Sequence, residues 1–334
     1  MRLQHQEYKM QHTGEIPVSI ILPVYNGIKF LQASVTSVLQ QSHPGFELLV
    51  LDDHSTDGSL RYLQSLNDNR IQLFTNEKNK GLFYNLNFLI QKTRAPLVKL
   101  WAQDDIMYAD CIKTIIAFHK CHPTVGFSYS GRDIIDEEGK IISATTLDTT
   151  PEIVNRALHS RIAFFTGSIA GNIANVTLAK KAIQEVGLFN ESMKISGDFD
   201  MWVRIAEKYP IGFIKNHLIQ LRDHKLQLSR RWDSYTTHLQ EDVRVYRYLL
   251  SYIDEAERKE GRALLRNHKL LFYYTLMIKA FLKGSFKSGI TFFTTLGKLD
   301  NIWILTYYFT RNRLLFRKRY SKMHLDNSVF IKEV

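Results

Sequence analysis

From residue 17 onward the chain alternates short runs of aliphatic and β-branched residues with longer stretches whose apolar positions recur at helical spacing. The pattern predicts strands at 18–23, 47–51, 71–75 and 97–101, and helices at 30–41, 59–66, 82–92 and 109–119 between and after them. Four strand–helix units in succession predict an α/β protein with a doubly wound, mostly parallel sheet covered on both faces. In such a sheet ligands bind beyond the carboxyl ends of the strands, which makes the residues just after each strand the first place to look for chemistry.

Beyond residue 125 the alternation loosens. Strands are expected near 125–135 and 211–222 and helices near 177–186 and 198–208, which predicts a second lobe. The resulting division is a first half over 16–130, a second over 131–232 and a helical, basic, aromatic region over 233–334. No internal repeat or low-complexity linker breaks the chain.

Length and charge narrow the classes. With 334 residues and 45% hydrophobic content, the chain can bury a large core, and disorder is excluded as a default. Cys111 and Cys121 form no C-x-x-C pair, so neither a disulfide framework nor a zinc site is suggested. The formal charge of +11 raises nucleic acid as a partner, but its placement argues otherwise. Residues 261–323 hold thirteen lysines and arginines against one acid, leaving the remainder close to neutral. One-signed charge interleaved with aromatic stripes suits a helix lying on an anionic membrane surface, with packing on the core or between copies of a homo-oligomer as the alternatives. The polar opening segment lacks the apolar core of a signal peptide, and no apolar run reaches spanning length. The expected location is therefore cytoplasmic, peripheral to the inner face of the membrane.

The strand ends are unusually polar. Pro23-Val24-Tyr25-Asn26-Gly27 follows the first strand, Asp52-Asp53-His54-Ser55-Thr56-Asp57-Gly58 the second, and Gln103-Asp104-Asp105 the fourth. Adjacent carboxylates repel, so the Asp104–Asp105 pair is best tolerated beside a divalent cation or a hydrogen-bond network, although Asp105 could equally cap the next helix. Asp57 before Gly58-Ser59 reads as a turn and cap residue, whereas Asp52 and Asp53 can accept from a base or a ribose. Farther on, Gly197-Asp198-Phe199-Asp200-Met201-Trp202 opens a helix, where an aspartate is either a cap or a base.

Taken in order, PVYNG, LDDHSTDGS, the NKG at 79–81 and WAQDD resemble the motif set of family 2 glycosyltransferases of the GT-A fold, over roughly residues 16–232. The resemblance implies that Pro23, Tyr25, Asn26, Asp52, Asp53 and Gly81 line a nucleotide. It implies that Asp53 meets a uracil or thymine ring N–H and that Asp104 is the metal-binding acid, with Asp105 in reserve. Ala102 stands where the family usually has the first Asp of its Asp-x-Asp motif. GDFD resembles the family's Glu-Asp acceptor motif with Gly197 replacing the Glu, which makes Asp198 the candidate general base, Asp200 its alternate and Trp202 an acceptor-side neighbour. The stretch from Arg222-Asp223-His224 to Arg230-Arg231-Trp232 resembles the closing motif, adding His224 as a metal or diphosphate ligand and Arg230 as a diphosphate contact. Its Gln227-to-Arg231 spacing is one residue longer than in processive polymerases.

The expectation is an inverting, single-addition enzyme that uses Mn²⁺ or Mg²⁺. It would move a sugar from a UDP- or dTDP-sugar to a saccharide acceptor, free or lipid-linked, in surface polysaccharide assembly. A sugar nucleotidyltransferase would need a Gly-rich basic loop after the first strand, which PVYNGIKF does not supply; a non-catalytic nucleotide-sugar-binding scaffold is the other alternative.

Overall fold

The first two strands are apolar at consecutive positions, as strands buried on both faces must be. In the computed structural model, which describes residues 16–144, 150–224, 232–251 and 265–315 together with 255, 258 and 259, they lie side by side in the interior of the sheet, toward one edge. β1 (Val18–Val24) runs parallel to β2 (Phe46–Asp52), and the register carries Val18 opposite Phe46 through to Val24 opposite Asp52. β3 (Ile71–Thr75) lies parallel outside β2, and β4 (Leu97–Leu100) lies parallel on the other side of β1. The carboxyl ends of these strands consequently share one rim.

Alternate side chains feed two separate cores. Leu48 and Val50 join α1 (Ile28–Leu39), α2 (Ser59–Ser65) and α4 (Cys111–Cys121) on one face; Leu49 and Leu51 join α3 (Leu82–Lys92) on the other. That is the doubly wound arrangement, with helices packed on both faces.

The expected second lobe is an extension of the same sheet. Its strands are β5 (Ile106–Met107), β6 (Phe127–Ile135), β7 (Ile141–Ala144), β8 (Ile153–Val154), β9 (Thr177–Ala179) and β10 (Ile211–Arg222). The order is β3-β2-β1-β4-β9-β6-β10-β5, with β7 beside β6 and β8 beside β10. The long pairings are parallel, including β6 with β10, while the antiparallel ones are short. Residues 177–179, expected to begin a helix, form the strand that joins β4 to β6, and only Lys180–Val186 (α6) is helical. The short β5–β10 pairing sets Ile106 opposite Gln220, which draws the Asp104–Asp105 turn against Arg222 and His224.

Helices α5 (Arg156–Thr166), α7 (Gly197–Lys208) and α8 (Trp232–Leu250) pack on the α3 face and share its core. α9 (Leu271–Leu282), α10 (Phe286–Leu299) and α11 (Ile302–Phe309) follow as a small helical array. Among the described residues no helix is long and apolar enough to cross a membrane.

Candidate active site

The rim above β1, β2 and β4 is built by turns that hydrogen-bond one another. Asn26 and His54 hold positive φ angles of 49° and 66°, conformations that Asn and His tolerate better than most residues. The Asn26 side-chain carbonyl accepts from Thr56 N–H at 2.8 Å, and Ser55 Oγ accepts from Asn26 N–H at 2.9 Å. Asp57 accepts from Ser59 N–H and from Ile28 N–H, tying the starts of α2 and α1 together, so its expected turn role holds. Gln103 closes the rim by accepting from Tyr25 N–H and donating to Tyr25 C=O.

Below this rim lies a cleft of about 600 Å³. Pro23, Tyr25, Asn26, Asp53, Gly81, Ala102, Gln103, Asp104 and His224 line it, so most of the expected nucleotide and metal residues meet in one place. Tyr25 stands half exposed at the mouth. Arg230 lies outside the described residues, as does the rest of the closing motif from 225 to 231.

Asp53 is buried and already well bonded. It accepts from Asn76 Nδ2 at 2.8 Å, Lys80 N–H at 2.8 Å and Gly81 N–H at 3.0 Å, fastening the tip of β2 to the loop that enters α3. A carboxylate has about four acceptor positions, so one remains for a ligand N–H. Asp52 lies beneath the cleft surface, accepting from Ser55 N–H at 2.9 Å, and serves the turn rather than the cavity.

At the opposite wall Asp104 Oδ2 meets His224 Nε2 at 2.8 Å, and the His224 ring tilts against Phe30. Asp105 points away. Its Oδ1 accepts from Arg222 N–H at 2.9 Å, and burial followed by the adjacent Asp104 charge pushes its carboxyl well above the usual range. That placement removes Asp105 from the ligands expected on the cleft. Arg222 donates to the Asp104, Asp136 and Glu137 carbonyls, pinning this wall from behind.

The acceptor motif is more divided. Asp198 sits in the first turn of α7, and its Oδ1 accepts from Phe199 N–H at 2.7 Å. Gly197 abuts α3: a Cβ there would come within 2.7 Å of the Phe83 ring, one residue beyond the cleft-lining Leu82. This is a physical reason for glycine where the motif otherwise has Glu. Burial raises the Asp198 carboxyl to about 7, with Asp242 and Glu241 adding to the shift against the Phe199 N–H.

Asp200 does not share that position. It pairs with Arg204 at 2.9 Å, which also donates to the Val186 and Leu188 carbonyls, and it lines a separate groove between α6, α7 and α8. Trp202 is wholly buried against Phe127 and Phe189, so it packs the helix and offers no surface to a substrate. Leu188 and Phe189 pack against the same core, Phe189 stacking on Phe83.

Sequence reading missed two carboxylates. Glu241 of α8 accepts from Lys194, Ile195 and Ser196 N–H at 2.7, 3.0 and 2.8 Å, clamping the loop that delivers Asp198. Its neighbour Asp242 accepts from Ser196 Oγ and pairs with Lys269 at 2.8 Å. Helical periodicity marks both as one turn of a polar helix, and only the tertiary packing of α8 on α7 brings them to Asp198.

An extended, mostly parallel sheet with an acidic cleft at its carboxyl rim is the arrangement of the GT-A fold. Comparison narrows this. Residues 19–177 match the family model described as Glycosyl transferase family 2. An uncharacterized glycosyltransferase of Rickettsia conorii is 30% identical over 216 residues, 64% of this chain and 35% of that protein. The chain thus spans about a third of that relative's length. The Escherichia coli enzyme UDP-Glc:alpha-D-GlcNAc-diphosphoundecaprenol beta-1,3-glucosyltransferase WfgD is 26% identical over 249 residues, 71% of this chain and 92% of that one. S. aureus TarS 1-349, solved in complex with UDP-GlcNAc, shares the fold with a TM-score of 0.57 and 17% identity, over 75% of this chain and 70% of that 1-349 chain. Residues 19–177 are thus similar to glycosyltransferase family 2, and the sheet has the GT-A fold.

Proposed function

We propose that the protein transfers a sugar with inversion, one unit at a time, from a UDP- or dTDP-sugar to a saccharide acceptor, free or lipid-linked, in polysaccharide assembly. The observation that carries this reading is the single cleft in which Asp53 and the Asp104–His224 pair face each other across a space of nucleotide-sugar size. WfgD, whose name specifies a UDP-glucose donor and a diphospholipid-linked acceptor, and the TarS complex with UDP-GlcNAc support the donor and acceptor classes. Single addition rests on the Gln227-to-Arg231 spacing in the sequence.

In this reading the base lies at the Pro23–Tyr25 side, and Asp53 accepts its ring N–H with the acceptor position left by its three protein donors. Family members commonly use a divalent metal. Among the described residues no three His, Cys, Asp or Glu side chains gather to hold one. The two donors present, Asp104 and His224, fit an ion that takes its other ligands from a diphosphate and water, the habit of Mg²⁺ and Mn²⁺. Bound there, such an ion would neutralise charge on the leaving diphosphate. Asp198 takes the proton from the acceptor hydroxyl as the new glycosidic bond forms and the bond to the diphosphate breaks. A carboxyl poised near neutral pH is suited to that task, since the best base has a pKa close to the working pH.

The test is release of nucleoside diphosphate from a panel of sugar nucleotides with Mn²⁺ or Mg²⁺, alone and with saccharide acceptors. Asp198→Asn should lower acceptor-dependent turnover by about 10²- to 10⁴-fold while leaving donor binding intact. Asp104→Asn should weaken metal-dependent donor binding. Full activity in either variant would remove that residue's assignment, and donor binding with no release in any condition would overturn the transferase reading.

A further inference from the structure

A helix at a protein surface normally turns its apolar stripe inward and its charges outward. α10 does not. Gly289, Phe292, Thr295 and Leu296 face the protein, while Phe286, Ile290, Phe293 and Gly297 are exposed. Steps of four, three and four residues keep those four on one line, because each residue turns the helix by about 100°. The outward face of α10 is therefore itself uncharged and aromatic.

The neighbouring segments repeat the feature. Leu282, at the turn between α9 and α10, is 82% exposed. α11 carries no charged residue, and its Trp303 is 77% exposed with Tyr307 one turn on also exposed. Tryptophan and tyrosine are the residues that settle at the boundary between water and lipid.

Cations border these stripes. Lys287 and Lys298 lie eleven residues apart, hence on a common line along one flank of the α10 stripe, and Lys279, Lys283 and Arg311 are also exposed. The only acid between 261 and 323 is Asp300, and it is mostly buried in a pair with Arg266 at 2.6 Å. Nothing acidic in this array opposes an anionic partner.

We propose that the α9–α11 array docks on the headgroup region of an anionic lipid bilayer, with Leu282, Phe286, Ile290 and Phe293 entering the acyl boundary and Lys283, Lys287 and Lys298 on the headgroups. The proposal concerns residues that do not line the cleft and stands whether or not the transfer reaction is as described above. Charge complementarity selects the lipid. A second copy of the chain would bring the same cations face to face, and a neutral partner would leave them unused.

The experiment is co-sedimentation of the full chain with phosphatidylcholine vesicles, with and without phosphatidylglycerol, at low and high salt. Binding is expected to require phosphatidylglycerol and to fall at high salt. Replacing Lys283, Lys287 and Lys298 together by Glu should weaken it at least about a hundred-fold, since each lysine near such a surface contributes about a five-fold factor. Replacing Phe286 and Ile290 by Ser should weaken it by about ten-fold or more. Trp303 fluorescence should be quenched by brominated acyl chains, and the quenching should disappear in Trp303→Phe.

Equal binding to neutral vesicles, or none to either, would overturn the proposal. So would an apolar face that proves covered, either by dimerisation that Ile290→Ser abolishes or by the chain's own remaining residues, seen as Trp303 shielded from a water-soluble quencher without lipid. All these variants lie outside the cleft, so unchanged transfer to a soluble acceptor confirms that they fold.

Discussion

If Asp198 is the base, the acid side of the kcat/KM profile reports its ionisation, and the structure puts that ionisation near pH 7 and not near the usual carboxylate range. The cause is burial, reinforced by Asp242 and Glu241 from α8 and opposed by the Phe199 N–H. Only the carboxylate accepts a proton. At one unit below a pKa of about 7 roughly a tenth of the molecules are competent, so kcat/KM at pH 6 should be about a tenth of its plateau. An aspartate in water would leave the same window flat, because it is ionised throughout.

A pH limb alone does not name the residue it belongs to, so the assay needs a second handle. Glu241→Gln keeps an oxygen to accept from part of the 194–196 loop but removes one of the negative charges facing Asp198. The other groups around the site are Asp242, its partner Lys269, and His238, whose proton affinity burial lowers. None of these is altered in the variant. Its acid limb should move to lower pH, while a limb belonging to a group away from Glu241 should stay in place. Initial rates of diphosphate release between pH 5 and pH 9 at subsaturating acceptor read both profiles. A flat wild-type profile from pH 6 to pH 8, or a limb that does not move in Glu241→Gln, would refute the assignment.

The same raised affinity has a stability consequence. The folded protein holds the Asp198 proton to higher pH than the unfolded chain does, so this residue's contribution is present in acid and is lost as pH rises toward and through about 7. Asp198→Asn should therefore raise Tm at pH 8, by about 2 °C for a largely buried but not fully enclosed group in a chain of this size, and leave it nearly unchanged at pH 4 by calorimetry. Asp53→Asn turns one acceptor oxygen into a donor facing backbone N–H groups at 80 and 81, and should cost about 1–3 kcal/mol in denaturant unfolding along with donor affinity. Gly197→Ala drives a methyl into the Phe83 ring and should cost about 1–3 kcal/mol. In a double-mutant cycle Phe83→Ala should recover part of that loss, and strict additivity would show that the two residues do not meet.

Hydrophobic pattern made the first half of the fold legible because its signals are local. The strands at 71–75 and 211–222 and the helix at 82–92 lie where periodicity places them, and other boundaries move by only one or two residues. What it could not carry was the partnership of distant strands. Thr177–Ala179 reads as the opening of a helix because three residues show no period, yet pairing with β4 and β6 makes it a strand. The same short strand makes the two expected halves one sheet, a property no segment holds by itself.

The site divides along the same line. Residues on the turns after β1, β2 and β4 were readable because a doubly wound sheet assigns function to that rim, and Pro23, Tyr25, Asn26, Asp53 and Asp104 do line the cleft. Side-chain direction was not readable. Asp104 and Asp105 are equivalent in sequence, and the pairing of β5 with β10 turns one to His224 and the other to the Arg222 backbone. Trp202 and Asp198, one helical turn apart, go to the core and to a half-buried position because α7 is wedged between Phe83 and α8. The largest omission, Glu241, follows from this. A missing Glu at 197 looked like a loss to the acceptor motif, whereas the structure places a carboxylate from α8 on the loop just before it, at 194–196. α8 is thus part of what shapes the surroundings of Asp198, and a truncation before α8 should remove the elevated ionisation of Asp198 together with the clamp on its loop.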